Sequence, residues 1–465
     1  MAQFRYTANG NYDFDKSELK YQDSINTEAR TLDFGPGSAV SGYGQYGDEF
    51  IYLIDGPEFE AVFRSSGVTI QEVGLYGDSS DFDYVTRVTG GNFGDVFRTG
   101  DGDDVLNGEG GNDVLEGGRG ANAFDGGTGT NTLSYEHFDT PGGSFGMIVD
   151  LSIGQASDWS TGTAVKDTFS NISNVRGSLY KDGITGDSNG NVIEGGAGDD
   201  EMIGGGGLDT LSYAHSSESV NVDLDREFGI GGDAEDDQFT SFENILGSTF
   251  GDALYGDGSA NTLNGNGGSD ELYGRGGDDR LVLSSSPAKV QGDEGTDLLF
   301  ILTGNLVELT ELSFTSSASI EKVYVRNQAA LDMTGVDVGT KIYSQSQANG
   351  FSIIIGTDSA DRIVAGKGGD TLNGGQGGDA LFAGAGANVF IFASGDGRDV
   401  IRRFEAGSDV IDVSMLASSM DGLKIGSFHG EANTIITFTG DSGPSDKIIL
   451  LGVTADSVTE GSFVF

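Results

Sequence analysis

The chain has no cysteine, one tryptophan, three histidines and only 25 lysines and arginines in 465 residues. Without cysteine, disulfides and thiolate chemistry are excluded. His137, His215 and His429 lie far apart in sequence, so no transition-metal ligand set is offered. Against 25 basic residues stand 73 acidic ones, a net charge of −48. Such a balance repels nucleic acid and anionic membrane surfaces and leaves cations as the natural partner. Long apolar runs are missing as well, and Met1 to Asp15 is polar and aromatic rather than basic and then apolar. Neither a cleavable signal peptide nor a transmembrane helix is therefore expected, and no membrane insertion. With 36% hydrophobic residues and 79 glycines, a thick core is excluded and disorder would be the ordinary outcome.

What is present is a double register of nine. Phe97, Leu106, Leu115, Phe124 and Leu133 recur every ninth position, and two residues before each stands Asp95, Asp104, Asp113, Asn122 or Asn131. The pattern returns as Asp182, Asn191, Asp200 and Asp209 with Ile184, Ile193, Met202 and Leu211. It returns again as Asp252, Asn261, Asp270, Asp279 and Asp297 with Leu254, Leu263, Leu272, Leu281 and Leu299, where Ala288 and Val290 keep the phase. A fourth block pairs Asp361, Asp370, Asp379 and Asn388 with Ile363, Leu372, Leu381 and Phe390. Glycine fills most of the space between, so each nonapeptide reads as a tight carboxylate-bearing turn followed by a short strand, a unit that stacks into a solenoid.

These blocks divide the chain. Residues 1–89 form a β-rich N-terminal module, with alternation in Phe50 to Ile54 and Val68 to Ile70. Repeat blocks are expected over 90–134, 177–213, 247–300 and 356–391, separated by β inserts at 135–176 and 214–246. The two inserts resemble one another: Leu133 Ser134 Tyr135 returns as Leu211 Ser212 Tyr213, and Val149 Asp150 Leu151 as Val222 Asp223 Leu224. Each reads as a strand pair. Residues 301–355 read as metal-free solenoid coils and 392–465 as a C-terminal cap.

Carboxylate and carbonyl oxygens without sulfur or imidazole are hard ligands, and the irregular coordination a glycine turn provides suits calcium better than magnesium. If two nonapeptides make one coil, turns on one side are eighteen residues apart. Ions held between coils then join Asp95 with Asp113, Asp182 with Asp200, Asp252 with Asp270, Asp279 with Asp297 and Asp361 with Asp379. Mixed pairs of lower charge are Asp104 with Asn122, Asn191 with Asp209, Asn261 with Asp279 and Asp370 with Asn388. Pairing within blocks predicts several Ca²⁺ ions, about eight.

The stretches Gly195 Gly196 Ala197 Gly198 Asp199 Asp200 Glu201 Met202 and Gly374 Gly375 Gln376 Gly377 Gly378 Asp379 Ala380 Leu381 resemble the nonapeptide GGxGxDxUx of the repeats-in-toxin (RTX), or hemolysin-type, calcium-binding proteins. The resemblance implies an all-β fold of right-handed parallel β-roll or β-helix solenoid blocks, here with a β-rich N-terminal module and a C-terminal β cap. It also implies export by a type I secretion apparatus that reads an uncleaved C-terminal signal. The tail, Ile448 to Val453 and then Phe463 Val464 Phe465, is similar to such a signal, although Gly461 and Ser462 stand where the family has an acid.

Other patterns are weaker. Gly42 to Gly47 spells GxGxxG but lacks a βαβ context and reads as an ordinary turn. Acid pairs such as Asp103 Asp104, Asp199 Asp200 and Asp278 Asp279 are products of the repeat rather than a glycosidase dyad. No histidine lies in a zinc or nucleophile-elbow motif. Trp159 reads as β packing, with glycan stacking as the alternative. Three functions remain: a secreted surface or extracellular-matrix protein with a glycan or matrix partner; a secreted hydrolase or epimerase whose active site lies in residues 1–89; and an ice-binding or toxin-like activity, against which no threonine ladder or amphipathic membrane segment is found. The first accounts for most of the sequence.

Overall fold

The computed structural model describes residues 89–465 apart from 91, 93, 100–101, 139–144, 160–166, 303, 305, 431 and 440–445. The expected N-terminal module, 1–89, lies almost wholly outside the described residues. The chain forms two compact units, one of residues 1–213 with 227–242 and the other of 214–226 with 243–465. The 214–246 segment, expected as one insert, is thus divided between them.

In the first unit most Asp-x-U-x stretches make a three-residue strand whose central side chain is buried, as in Val105–Asn107 and Ala123–Asp125. Parallel partners are eighteen residues apart, Val96 beside Val114 and Val105 beside Ala123, so two nonapeptides make one coil. One ladder runs through Val96–Arg98, Val114–Glu116, Thr132–Ser134, Asn174–Arg176, Val192–Glu194 and Thr210–Ser212, aligning Phe97, Leu115, Leu133, Val175, Ile193 and Leu211. All six are at most 1% exposed. A period-2 strand of three residues can bury only its middle side chain, which is why one apolar residue per nonapeptide suffices and why the core is thin.

The first insert leaves that ladder unbroken, since Thr132–Ser134 pairs directly with Asn174–Arg176. It widens the other. Asp167–Ser170 pairs parallel with Ala123–Asp125 and antiparallel with Gln155–Asp158, which is antiparallel to Phe145–Asp150, itself parallel to Lys181–Thr185.

In the second unit one ladder runs from Asn244–Leu246 through Thr262–Asn264, Arg280–Leu283, Asp297–Ile301, Ile320–Arg326, Lys341–Gln345, Arg362–Val364 and Ala380–Phe382 to Arg398–Arg402. From Arg280 to Gln345 the strands lengthen and carry extra buried residues such as Leu283, Ile301 and Val325. Those coils replace turn glycine with core. At the end, Lys447–Leu451 pairs with Arg398–Arg402 and with the hairpin strand Asn433–Phe438, while Phe463–Val464 closes on Ile411–Asp412.

Candidate metal centres

Each repeat aspartate sits at the mouth of its strand and is fastened to the coil before it. Where the period is unbroken, one carboxylate oxygen, Oδ1, accepts the backbone N–H of the residue eighteen positions earlier: Asp113 from Asp95 at 2.8 Å, Asp200 from Asp182 at 2.7 Å, Asp270 from Asp252 at 3.0 Å, Asp297 from Asp279 at 2.8 Å and Asp379 from Asp361 at 2.8 Å; at the first aspartate of a block the donor lies further back, Val220 for Asp252 and Thr340 for Asp361. Mixed pairs share the geometry, with Asn122 accepting from Asp104 at 2.9 Å, Asp209 from Asn191 at 2.7 Å, Asp279 from Asn261 at 2.8 Å and Asn388 from Asp370 at 3.1 Å. The structure therefore brings together every pair that the spacing of eighteen selects.

The second oxygen is left without a protein donor in five of these aspartates. Oδ2 of Asp113, Asp200, Asp279, Asp297 and Asp379 is buried without a hydrogen-bond partner. Beside each lies the first glycine of its own nonapeptide, Gly108, Gly195, Gly274, Gly292 or Gly374, where a Cβ would overlap that same oxygen. The second and fourth glycines hold positive φ, as at Gly196 (89°) and Gly198 (145°), and a Cβ at Gly196 would strike the Ser178 carbonyl of the preceding coil. Side-chain oxygen and backbone carbonyls thus line a cradle open only because it is built of glycine.

A buried carboxylate without a counter-charge favours its protonated form. Burial pushes Asp113 up to about 6, Asp270 to about 7 and Asp279 to about 7, against the hydrogen bonds from Asp95, Asp252 and Asn261 that lower them. Asp200 and Asp379 are raised further by burial and by the neighbouring charges of Asp237 and Asp399. Hard oxygen donors, orphaned charge and a glycine cradle fit calcium. No group of three or more Asp, Glu, His or Cys side chains able to hold a metal occurs among the described residues, so backbone carbonyls would have to complete any shell.

Not every expected ligand is equivalent. In Asp182, Asp252 and Asp361, Oδ2 already accepts the N–H of Ser178, Ser248 or Thr357 at 2.6, 2.6 and 2.5 Å. Asp370 Oδ2 accepts from Gly366 N at 2.7 Å and Ser346 Oγ at 3.0 Å. At the block entrances Asp182, Asp252 and Asp361 a hydroxyl residue follows the first glycine, and there and at Asp370 protein donors fill the place that stays empty at Asp113, Asp200, Asp279, Asp297 and Asp379.

Four further aspartates continue the ladder. Asp167, Asp237, Asp399 and Asp409 accept the N–H of Asn122, Asp200, Asp379 and Asn388 at 2.8 to 2.9 Å. Asp167 and Asp237 lack the glycine frame, Asp399 keeps Gly395 and Gly397 and Asp409 keeps Gly407; each stands two residues before a strand apolar, Phe169, Phe239, Ile401 or Ile411, so the Asp-x-U signal alone would have found them. In the inserts the second oxygen is capped: Tyr135 and Tyr213, both fully buried, donate their hydroxyls to Oδ2 of Asp167 and Asp237 at 2.8 and 2.9 Å. The repeated Leu-Ser-Tyr thereby closes a coil with a hydroxyl. The acid pairs find their explanation too, since Asp103 and Asp278 each accept a backbone N–H from the next coil, Ala121 at 2.7 Å and Thr296 at 2.8 Å.

The family model of the RTX calcium-binding nonapeptide repeat matches residues 89–124, 98–133, 177–213, 246–282 and 355–390. No curated protein matches the chain. Among solved structures it is similar to the AlgE6R2 subunit from the Azotobacter vinelandii mannuronan C5-epimerase, 26% identical over 29% of this chain and 91% of that one, with a TM-score of 0.23. It is also similar to the extracellular lipase LipA from Serratia marcescens, 14% identical over 83% of this chain and 40% of that one, with a TM-score of 0.18.

Proposed function

Because the chain is an RTX-type repeat protein whose β-roll binds calcium, we propose that it is secreted, that the solenoid closes on calcium outside the cell, and that it serves as a cell-surface or extracellular-matrix component with a glycan or matrix partner. The observation that carries this reading is the row of buried, partnerless Oδ2 atoms beside turn glycines. Each is a cost to the fold until a cation neutralises it, so binding energy becomes folding energy. Asp113, Asp200, Asp279, Asp297 and Asp379 would hold the ions with carbonyls of the adjoining coils. Bound calcium supplies positive charge that these carboxylates otherwise lack.

Inside a cell, where free calcium is scarce, a net charge of −48 keeps the repeats extended, the form a type I apparatus would export. The C-terminal strands Lys447–Leu451 and Phe463–Val464 are tied into the ladders in the folded state, so a signal there would be read before folding. Among the described residues no helix is long and apolar enough to cross a membrane.

The test is a calcium titration of the full chain followed by far-ultraviolet circular dichroism. A cooperative gain of β signal is expected at about 10⁻⁴ to 10⁻³ M calcium, reversed by chelator and not reproduced by equal magnesium. A chain fully folded in chelator would refute the reading.

A further inference from the structure

The second unit presents two outward sheet faces of opposite character. Its sheets enclose one core, with Leu299 and Val323 buried from one side and Val307 and Leu331 from the other, so their outer columns face in opposite directions. The first face spans seven strands, from Arg280–Leu283 to Arg398–Arg402. Its register sets Arg280, Lys322, Lys341 and Arg362 in one outward column beside Phe300, Tyr324, Tyr343, Phe382 and Arg402 in the next. No aspartate or glutamate occupies either column. The second face also has seven strands, from Leu306–Glu308 to Phe463–Val464. One column runs Leu306, Ala330, Ile353, Thr371, Val389 and Val410. Its neighbour holds Ile355, Asn373 and Ile391 between Glu308 and Asp332 on one side and Asp412 on the other. No lysine or arginine occupies either column.

Neither face is satisfied within the chain. The Arg280 guanidinium lies 3.7 Å from the Phe300 centroid and that of Arg362 lies 3.8 Å from Phe382, so rings hold the cations in place. Among the described residues none of Arg280, Lys322, Lys341, Arg362 and Arg402 makes an ion pair; the ion pairs of this unit join Arg226 and Arg275 to Asp223, at 3.5 and 2.7 Å, outside both faces. On the other face Leu306 is 55% exposed, Ile353 38% and Val464 43%. Glu308, Asp332 and Asp412 have no basic partner among the described residues.

We infer that these two faces bind one another between copies of the chain: the cationic, aromatic face of one copy seats on the acid-flanked apolar face of a second, and the contact repeats into an open stack. Three arguments select a second copy. Each face carries charge of one sign only, and the signs are complementary. Both faces belong to the same coils and repeat at the same interval of about 4.8 Å, so side-chain rows from two copies interdigitate without a mismatch of register. Because the faces lie on opposite sides of the unit, a pair of copies still offers one free face of each kind, and a heterologous contact of that sort adds further copies. Seven strands by two columns make a strip of about 30 by 12 Å, well below the ~800 Å² per partner of a standard interface. A single contact is therefore weak, and stack length follows concentration. The inference goes beyond the proposed glycan or matrix partner and requires only the folded solenoid.

The test is sedimentation velocity of the full chain in calcium over a concentration series. The weight-average sedimentation coefficient should rise without levelling off at a dimer. Reversing the first face with Lys322→Glu, Lys341→Glu and Arg362→Glu should weaken association by about tenfold or more, and so should reversing the second with Glu308→Lys, Asp332→Lys and Asp412→Lys. The two variants shift net charge in opposite directions, so general repulsion among acidic chains cannot weaken both. An equimolar mixture of the two should associate as wild type does, because each reversed face meets the reversed face of the other. A wild type that stays monomeric or stops at a dimer overturns the inference, as does either triple variant associating undiminished, or a mixture that stays dissociated. If the first triple variant fails to gain β signal in calcium, Lys341→Gln with Arg402→Gln, both exposed, carries the test and should still weaken association severalfold. Circular dichroism reads calcium-driven folding separately from stacking, so either can fail alone.

Discussion

Replacing Asp279 by asparagine should stabilise the fold in chelator and weaken it in calcium. The substitution keeps the shape and the acceptor: Asp279 Oδ1 takes the Asn261 N–H at 2.8 Å, as Asn122 does for Asp104 and Asn388 for Asp370. What it removes is the charge on Oδ2, which has no partner. Burial, with Asp297 and other nearby acids, moves this carboxyl from 3.8 to about 7, a cost of ~4 kcal/mol when it is ionised at pH 8. The neighbouring Asp278 is exposed, and screening from that rim reduces the figure to ~2 kcal/mol. Amide exchange read by mass spectrometry on the strands Thr262–Asn264 and Arg280–Leu283 gives the local stability. In chelator, Asp279→Asn should slow exchange there by about 30-fold relative to wild type. In calcium the order should reverse, with the variant requiring severalfold more ion for the same protection. Faster exchange in chelator, or an unchanged calcium requirement, would refute the assignment of Oδ2 as a cation ligand.

Acid should partly replace calcium. Asp113, Asp182, Asp270, Asp279 and Asp361 are raised by burial to between about 6 and about 7, above their unfolded values, so the folded form binds protons more tightly. Their contribution is complete below about pH 4 and is lost as pH rises through 6 to 7; in chelator the β signal should grow on acidification from pH 8 to 5, and a flat profile counts against the burial. Tyr213→Phe leaves a buried carboxylate oxygen of Asp237 unpaired and should cost ~1.5–3 kcal/mol, seen as a lower urea midpoint in calcium with unchanged calcium stoichiometry by calorimetry; a changed stoichiometry would place an ion there. Gly295→Ala forces a side chain onto φ 142° and against the Gly277 carbonyl, costing ~1–3 kcal/mol from backbone strain alone, whereas Gly258→Ala meets nothing within 4 Å and should leave the thermal midpoint unaltered.

Much of the site was legible because the repeat writes geometry directly into spacing. An acid two residues before an apolar residue places one at the strand mouth and the other in the core, and a period of nine with two strands per coil selects pairs eighteen apart. Where spacing breaks, the legibility ends. Asp167 replaces the residue eighteen beyond Asn122 only after 45 positions, and Asp237 follows Asp200 after 37, since each insert loops out and returns. Equivalence among the aspartates was also illusory from sequence: Asp182, Asp252 and Asp361 differ from Asp113 and Asp279 through Ser178, Ser248 and Thr357, four residues upstream.

By itself the sequence determined the solenoid, its two strands per coil and its acidic turns, because these depend on periodicity and on glycine's freedom at positive φ. Tertiary structure decided which carboxylate oxygens remain without a protein donor, how Tyr135 and Tyr213 close the insert coils, and that scattered cations from Arg280 to Arg402 align on one face. Those outcomes depend on contacts between coils separated by irregular lengths of chain, and only the stacked register brings them together.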